Sequence, residues 1–225
     1  MDRFFNTDNA VMRVLAKIFD IGWLSIVYVL FCVPIVTIGA ATTSLYYVGA
    51  KVLRKDRSYV WTEFWRSFKQ NFVPATIMWV ILAAVYGLLY FNINMVGLTD
   101  AESQYGGYLA GAYIALGVIV ACVMSYAFCV LSRFDMKVGK IFRFSLYLAF
   151  RHFLHTLLLL VILFVAGFGI YAGFVVQIPF LLMFVPGLAT FLYTFPMEHL
   201  LRKYTPKSEP KFTEDGEEIR EWYEE

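Results

Sequence analysis

Hydrophobic positions run along this chain in long blocks, without the alternation or regular amphipathic stripe of a soluble domain. Four blocks, at about residues 73–97, 108–131, 153–175 and 177–199, hold almost no charge, and each is long enough to cross a bilayer as a helix. A further apolar run over 18–37 is interrupted by Pro34, Thr37 and Gly39 and continues as a weaker, small-residue run to Leu53. The pattern predicts an all-α transmembrane bundle with helices at about 9–33, 39–53, 73–97, 108–131, 153–175 and 177–199, followed by a charged tail over 201–225. Asn6 to Asn9 read as the cap of the first helix.

Charge fixes the expected orientation. Lys51, Arg54, Lys55, Arg57, Arg66 and Lys69 crowd the 51–72 connection, and Arg133, Lys137, Lys140, Arg143 and Arg151 the 132–152 connection, whereas 98–107 has only Asp100 and Glu102. Basic connections stay in the cytoplasm. With six crossings all 19 Lys and Arg residues fall on that side and both termini are cytoplasmic; the alternative of five crossings exports Arg3, Arg13 and Lys17. The second helix is the weak element of the six, because about 15 residues rise only about 22 Å against a hydrocarbon core of roughly 30 Å. It is expected to be tilted, partly re-entrant or shielded by its neighbours. A cleaved leader ending near Gly39 to Ala41 fits poorly, since Asp2, Asp8 and Asp20 occupy what should be a basic start.

Composition agrees with this reading. Apolar residues make up 60% of the 225 and charged residues 16%, which excludes an ordinary water-soluble globule. A net charge of +2 is too small to suggest nucleic acid, and Cys32, Cys122 and Cys129 lie in apolar runs without metal-ligand spacing. They read as buried fillers.

The most patterned piece is the first basic elbow. At helical spacing Trp61, Phe64, Trp65, Phe68 and Phe72 share one arc, opposite Thr62, Glu63, Arg66, Ser67, Lys69, Gln70 and Asn71. This predicts an interfacial helix that either anchors the chain at the headgroups or docks a cytoplasmic partner through its wet face, with Pro74 in the first turn of the next helix. A second elbow over Val138 to His152 has a narrower polar ridge and is expected to be more buried. Ser67-Phe68-Lys69 and Ala149-Phe150-Arg151, 82 residues apart, echo each other as either a weak duplication or coincidence. Small-residue ridges at Gly107, Gly111 and Ala115, and at Gly169 and Gly173, predict close packing between helices within the chain.

Candidate chemistry is sparse. No charge falls at mid-membrane; Asp20 can pair with Arg13 or Lys17 on its own helix, and Glu198 with Arg202. His152, His155 and His199 read as interfacial histidines, without the accompanying ligands a metal site needs. No nucleophile motif or phosphate loop is present, so neither enzyme activity nor a cofactor is expected. The best internal candidate is the polar helix break formed by Pro34, Thr37, Gly39, Thr42, Thr43 and Ser44. It would either meet a ligand or use its hydroxyls on its own broken backbone.

The run from Cys32 to Tyr47, CVPIVTIGAATTSLYY, and the later FWRSFKQNF over 64–72 resemble the YesL-like family of small bacterial membrane proteins, chiefly from Gram-positive Firmicutes. The resemblance implies a role in carbohydrate sensing or uptake, beside sugar-importing ABC transporters and histidine kinases. It carries no catalytic residues over. The expectation is an accessory membrane subunit of a sugar-responsive sensor kinase or an ABC permease, with a small transporter for a neutral solute such as a sugar as the alternative.

Overall fold

The computed structural model describes residues 10–54, 58–99 and 104–205, with two short pieces at 211–212 and 218–219. The described part is an all-α bundle: α1 Ala10–Cys32, α2 Ile38–Val48, α3 Val60–Thr99, α4 Gln104–Arg133, α5 Val138–Arg151, α6 Phe153–Val175 and α7 Pro179–Tyr204. Lys211–Phe212 and Glu218–Ile219 pair as a two-residue antiparallel ladder. The cap expected at Asn6 to Asn9 and most of the charged tail lie outside the described residues.

Five helices, α1, α3, α4, α6 and α7, are long and apolar enough to cross a membrane. This is an integral membrane protein. α6 shows the lipid environment most plainly, since among its described side chains only Thr156, Leu159 and Gly173 are buried. Its apolar surface faces outward because hydrocarbon is as good a solvent for Leu and Phe as a protein core.

The short second helix is present and is shielded on nearly all sides. After a single 3-10 turn at Ile35–Thr37, the 11 residues of α2 continue through five residues of wider π turn at Gly49–Leu53. Together they rise about 24 Å. Ala40, Ala41, Val48 and Ala50 have no exposed surface. Small residues let other backbones come close: a Cβ on Gly39 would lie 2.5 Å from the Ala75 carbonyl oxygen, and one on Gly49 would lie 2.6 Å from Thr190 Cγ2. Gly39 against Ala75 at one end and Lys51 bonded to Glu63 at the other make α2 antiparallel to the first turns of α3. α2 therefore runs beside the expected elbow and reaches the first turns of the apolar run that follows it, at Ala75 and Trp79.

The elbow and the crossing at 73–97, expected as separate pieces, form one 40-residue helix. Pro74 lies inside it and not in a first turn. Helical phase carries straight through Phe72 and Val73, so the proline removes one backbone bond without ending the helix. The second elbow, α5, is separated from α6 at His152, whose φ of −119° and ψ of 55° break the helix. It buries Ile141, Ser145, Leu148 and Ala149, no larger a share than the first elbow with Val60, Glu63, Phe64, Ser67 and Phe68. The sequence echo between the elbows does not extend to their surroundings, since Phe68 is buried and Phe150 exposed.

One small-residue ridge packs as expected: Gly169 meets Val185, and Gly173 meets Leu181 and Leu182, between α6 and α7. The other does not. Gly107 and Gly111 have open space where a side chain would be, and Ala115 is exposed. Gly39→Ala should therefore lower the thermal midpoint of the detergent-purified protein by several degrees, because the Ala75 carbonyl belongs to a helix backbone and cannot give way. Gly111→Ala should leave the midpoint unchanged. Equal midpoints for Gly39→Ala and wild type would contradict the packing described.

Candidate functional site

A cavity of about 590 Å³ opens between α1, α2, α4, α6 and α7. Leu45, Phe128, Leu163, Phe164 and Ile170 supply apolar wall, and Tyr28, Thr42, Tyr46, Ser125, Thr190 and Tyr193 bring oxygen atoms to it. Those oxygens are already engaged by protein. Tyr193 donates to the Ser125 carbonyl, Thr190 to the Pro186 carbonyl at 2.8 Å and Thr42 to the Ile38 carbonyl at 2.8 Å. A ligand here meets an apolar surface with few free donors.

Behind the cavity lies the principal buried ionic group. Tyr46 donates its phenolic hydrogen to Glu198 Oε1 at 2.6 Å, and Arg133 Nη1 donates to Glu198 Oε2 at 2.5 Å. The Arg133 and Glu198 side chains are 1% and 8% exposed, so the pair is desolvated and links α2, α4 and α7. Sequence spacing pointed only to Arg202, one turn along the same helix and exposed in the fold. Nothing in the local sequence marks Arg133, 65 residues away, as a partner of Glu198.

The polar helix break uses its hydroxyls locally. Thr37 Oγ1 donates to the carbonyls of Phe31 and Pro34 at 2.6 and 2.7 Å, closing the gap that Pro34 opens. Thr43 and Ser44 donate to Gly39 and Ala40 one turn back. The hydroxyls of Thr37, Thr42, Thr43 and Ser44 thus satisfy their own backbone. Asn92 and Asn94, near the C-terminal end of α3, do the same toward Leu88 and Tyr90.

The aromatic arc of the first elbow packs onto protein more than the sequence suggests. The Phe31 ring, at the end of α1, sits 4.9 to 6.4 Å from the rings of Trp61, Phe64, Trp65 and Phe68. Phe64 and Phe68 are buried, while Trp61, Trp65 and Phe72 keep an outward edge. Its opposite face is also partly internal. Glu63 is buried between Lys51 at 2.8 Å and Arg66 at 2.9 Å, and Arg66 donates to the Tyr47 hydroxyl at 2.6 Å. Lys69 lies over the Trp65 ring at 4.8 Å.

The three histidines do come together. The His152 and His155 rings are 5.9 Å apart, His155 stacks on His199 at 6.5 Å, and His152 Nε2 lies 2.9 Å from the Tyr204 hydroxyl. Desolvation, then His155, Lys203 and Arg151, hold His152 below the usual imidazole range. Among the described residues no three His, Cys, Asp or Glu side chains are placed to hold a metal ion.

The fold and site thus define a small helical membrane protein with a buried Arg–Glu–Tyr network beside an apolar cavity. A family model described as "Protein of unknown function, DUF624" matches residues 21–93, which take in both segments of the resemblance drawn above. The chain is similar to two Bacillus subtilis (strain 168) proteins, Uncharacterized protein YesL and Uncharacterized protein YteU. It is 23% identical to the first over 190 residues, 83% of this chain and 87% of YesL. To the second it is 24% identical over 152 residues, 67% of this chain and 62% of YteU. No solved structure matches. The likeness to YesL runs through most of the chain and supports the resemblance beyond its first segments.

The buried pair makes a quantitative prediction. Arg133→Met alone should destabilise the bundle by about 3–5 kcal/mol, because it strands the Glu198 carboxylate without its cation. Arg133→Met with Glu198→Leu should recover most of that loss. Thermal unfolding of the two variants and wild type in one detergent measures the difference, and a double variant no more stable than the single one would show that the pair is not coupled.

Proposed function

We propose that this protein is a non-enzymatic accessory subunit of the cell membrane, with both termini cytoplasmic, that binds another integral membrane protein through its helices. The observation that supports a partner is the outer half of α4, where Gly107, Gly111 and Ala115 present a flat, unoccupied ridge. Ile114, Leu116 and Val118 beside it are also exposed. In lipid such a ridge allows two helix backbones to approach closely, which is the main source of association there. The family resemblance suggests the kind of partner, a sugar-responsive histidine kinase or the permease of a carbohydrate ABC importer.

A transporter for a neutral sugar draws less support from the site. A sugar needs many hydrogen bonds, and the hydroxyls at the cavity and at the Pro34 to Ser44 break donate mostly to backbone carbonyls. The basic residues support cytoplasmic termini, which six crossings provide and five would not.

Two experiments check this reading. Tagged protein purified from its native membrane should carry a kinase or permease at fixed ratio, and Gly107→Leu with Gly111→Leu should lose it at unchanged thermal midpoint. Wild type that carries neither would reject the accessory role. For orientation, single cysteines at Asp8, Ser58 and Lys137 should be protected from an impermeant thiol reagent in intact cells while one at Ser103 labels. Labelling at Asp8 would place the amino terminus outside.

A further inference from the structure

The outer face of α5 carries a groove that the accessory role does not use. Arg143, Leu146, Tyr147, Phe150 and Arg151 line it, around a volume of about 570 Å³. Helical spacing places Arg143, Tyr147 and Arg151 in one row and Leu146 and Phe150 in the adjacent row, so a basic stripe runs beside an apolar one. Both rows are exposed, with Phe150 at 67%. Such exposure of Phe and Leu beside two guanidinium groups suits neither water nor pure hydrocarbon. It suits the boundary between them.

Chain connectivity locates that boundary. α5 ends at Arg151, the helix breaks at His152, and α6 begins with Phe153 and Leu154, both exposed and apolar on a membrane-crossing helix. The apolar row of α5 thus continues onto the lipid-facing surface of α6, while its arginines stay at the level where headgroups lie. Among the described residues no carboxylate pairs with Arg143 or Arg151. A planar guanidinium binds phosphate oxygens in a fixed fork, and two of them lining one groove favour a singly charged phosphodiester over a zwitterion whose own cation would be repelled.

We propose that this groove binds one anionic phospholipid, with its phosphate held by Arg143 and Arg151 and an acyl chain lying along Leu146 and Phe150. An acidic protein segment could satisfy the arginines, but the apolar row merges with a lipid-exposed crossing and leaves a bound chain as the matching occupant. The site stands on α5 and is independent of any partner at α4.

Native mass spectrometry of the full-length protein, exchanged into equal phosphatidylglycerol and phosphatidylcholine of the same acyl chains, tests the proposal. Wild type should retain phosphatidylglycerol preferentially. Arg143→Ala with Arg151→Ala should cut that preference by about an order of magnitude, whereas Arg143→Lys with Arg151→Lys should keep part of it. Phe150→Ser should weaken retention of both lipids. If the double alanine variant does not fold, wild type serves: its preference should fall as salt rises, through screening of the guanidinium charge. Wild type without preference, an unchanged preference in the folded double alanine variant, or displacement of the lipid by inorganic phosphate at equal concentration would each overturn the proposal. So would capture of an acidic protein at α5 that excludes the lipid.

Discussion

A carboxylate inside a membrane bundle has to be matched by a cation and by hydrogen bonds, or the chain must move to reach water. Glu198 is matched twice, by Arg133 from α4 and by Tyr46 from α2, and that requirement holds three helices at fixed mutual positions. Once α2 is held there, its hydroxyl-bearing face, its contact with α3 and the floor of the cavity are set with it. Tyr126 from α4 adds a second polar tie, to the Thr156 hydroxyl on α6 at 2.9 Å. The apolar surfaces around these ties have no comparable preference for one neighbour, because lipid tails solvate them equally well.

α2 can occupy the centre because of its composition. Gly39, Ala40, Ala41 and Gly49 remove the side chains that would hold α3 and α7 away, and Thr42, Thr43 and Ser44 return their hydroxyls to the preceding turn. A helix of small and hydroxylated residues has little intrinsic stability in water and little apolar area to bury. Enclosed by other helices it needs neither. Thr37 closes the entrance to α2 from within the chain, its hydroxyl donating to the Phe31 and Pro34 carbonyls and its N–H to the Pro34 carbonyl as well.

Much of the architecture was legible in the chain because hydrophobic length is a local property. The expected 153–175 helix coincides with α6, the 9–33 helix with α1 to within a residue, and the helical run after Gly39 with α2 and its π turn. What was not legible depended on distant residues. An arc of Trp61, Phe64, Trp65, Phe68 and Phe72 looks the same whether it rests on headgroups or on Phe31, and only the folded chain shows the ring beneath it. Glu63 and Ser67 read as wet by helical phase and are buried because α2 covers that side. Glu198 offered a cation four residues on, while Arg133, 65 residues away in sequence, makes the buried pair.

The same logic bears on function. In a soluble protein a cavity and an exposed apolar face would both mark binding sites, since water penalises each. In lipid the exposed face costs nothing, so α6 with its bare Leu and Phe residues carries no information about a partner. Features that lipid does not explain are more informative. An acyl chain gains little from the flat ridge of Gly107 and Gly111, which a second helix can use fully. Nor does hydrocarbon account for guanidinium groups set beside Phe150 on α5, which a phosphate headgroup does. The two proposed contacts therefore differ in chemistry and lie on different faces, one offered to protein within the bilayer and one to lipid at its edge, and the buried Glu198 network holds the scaffold that carries both faces.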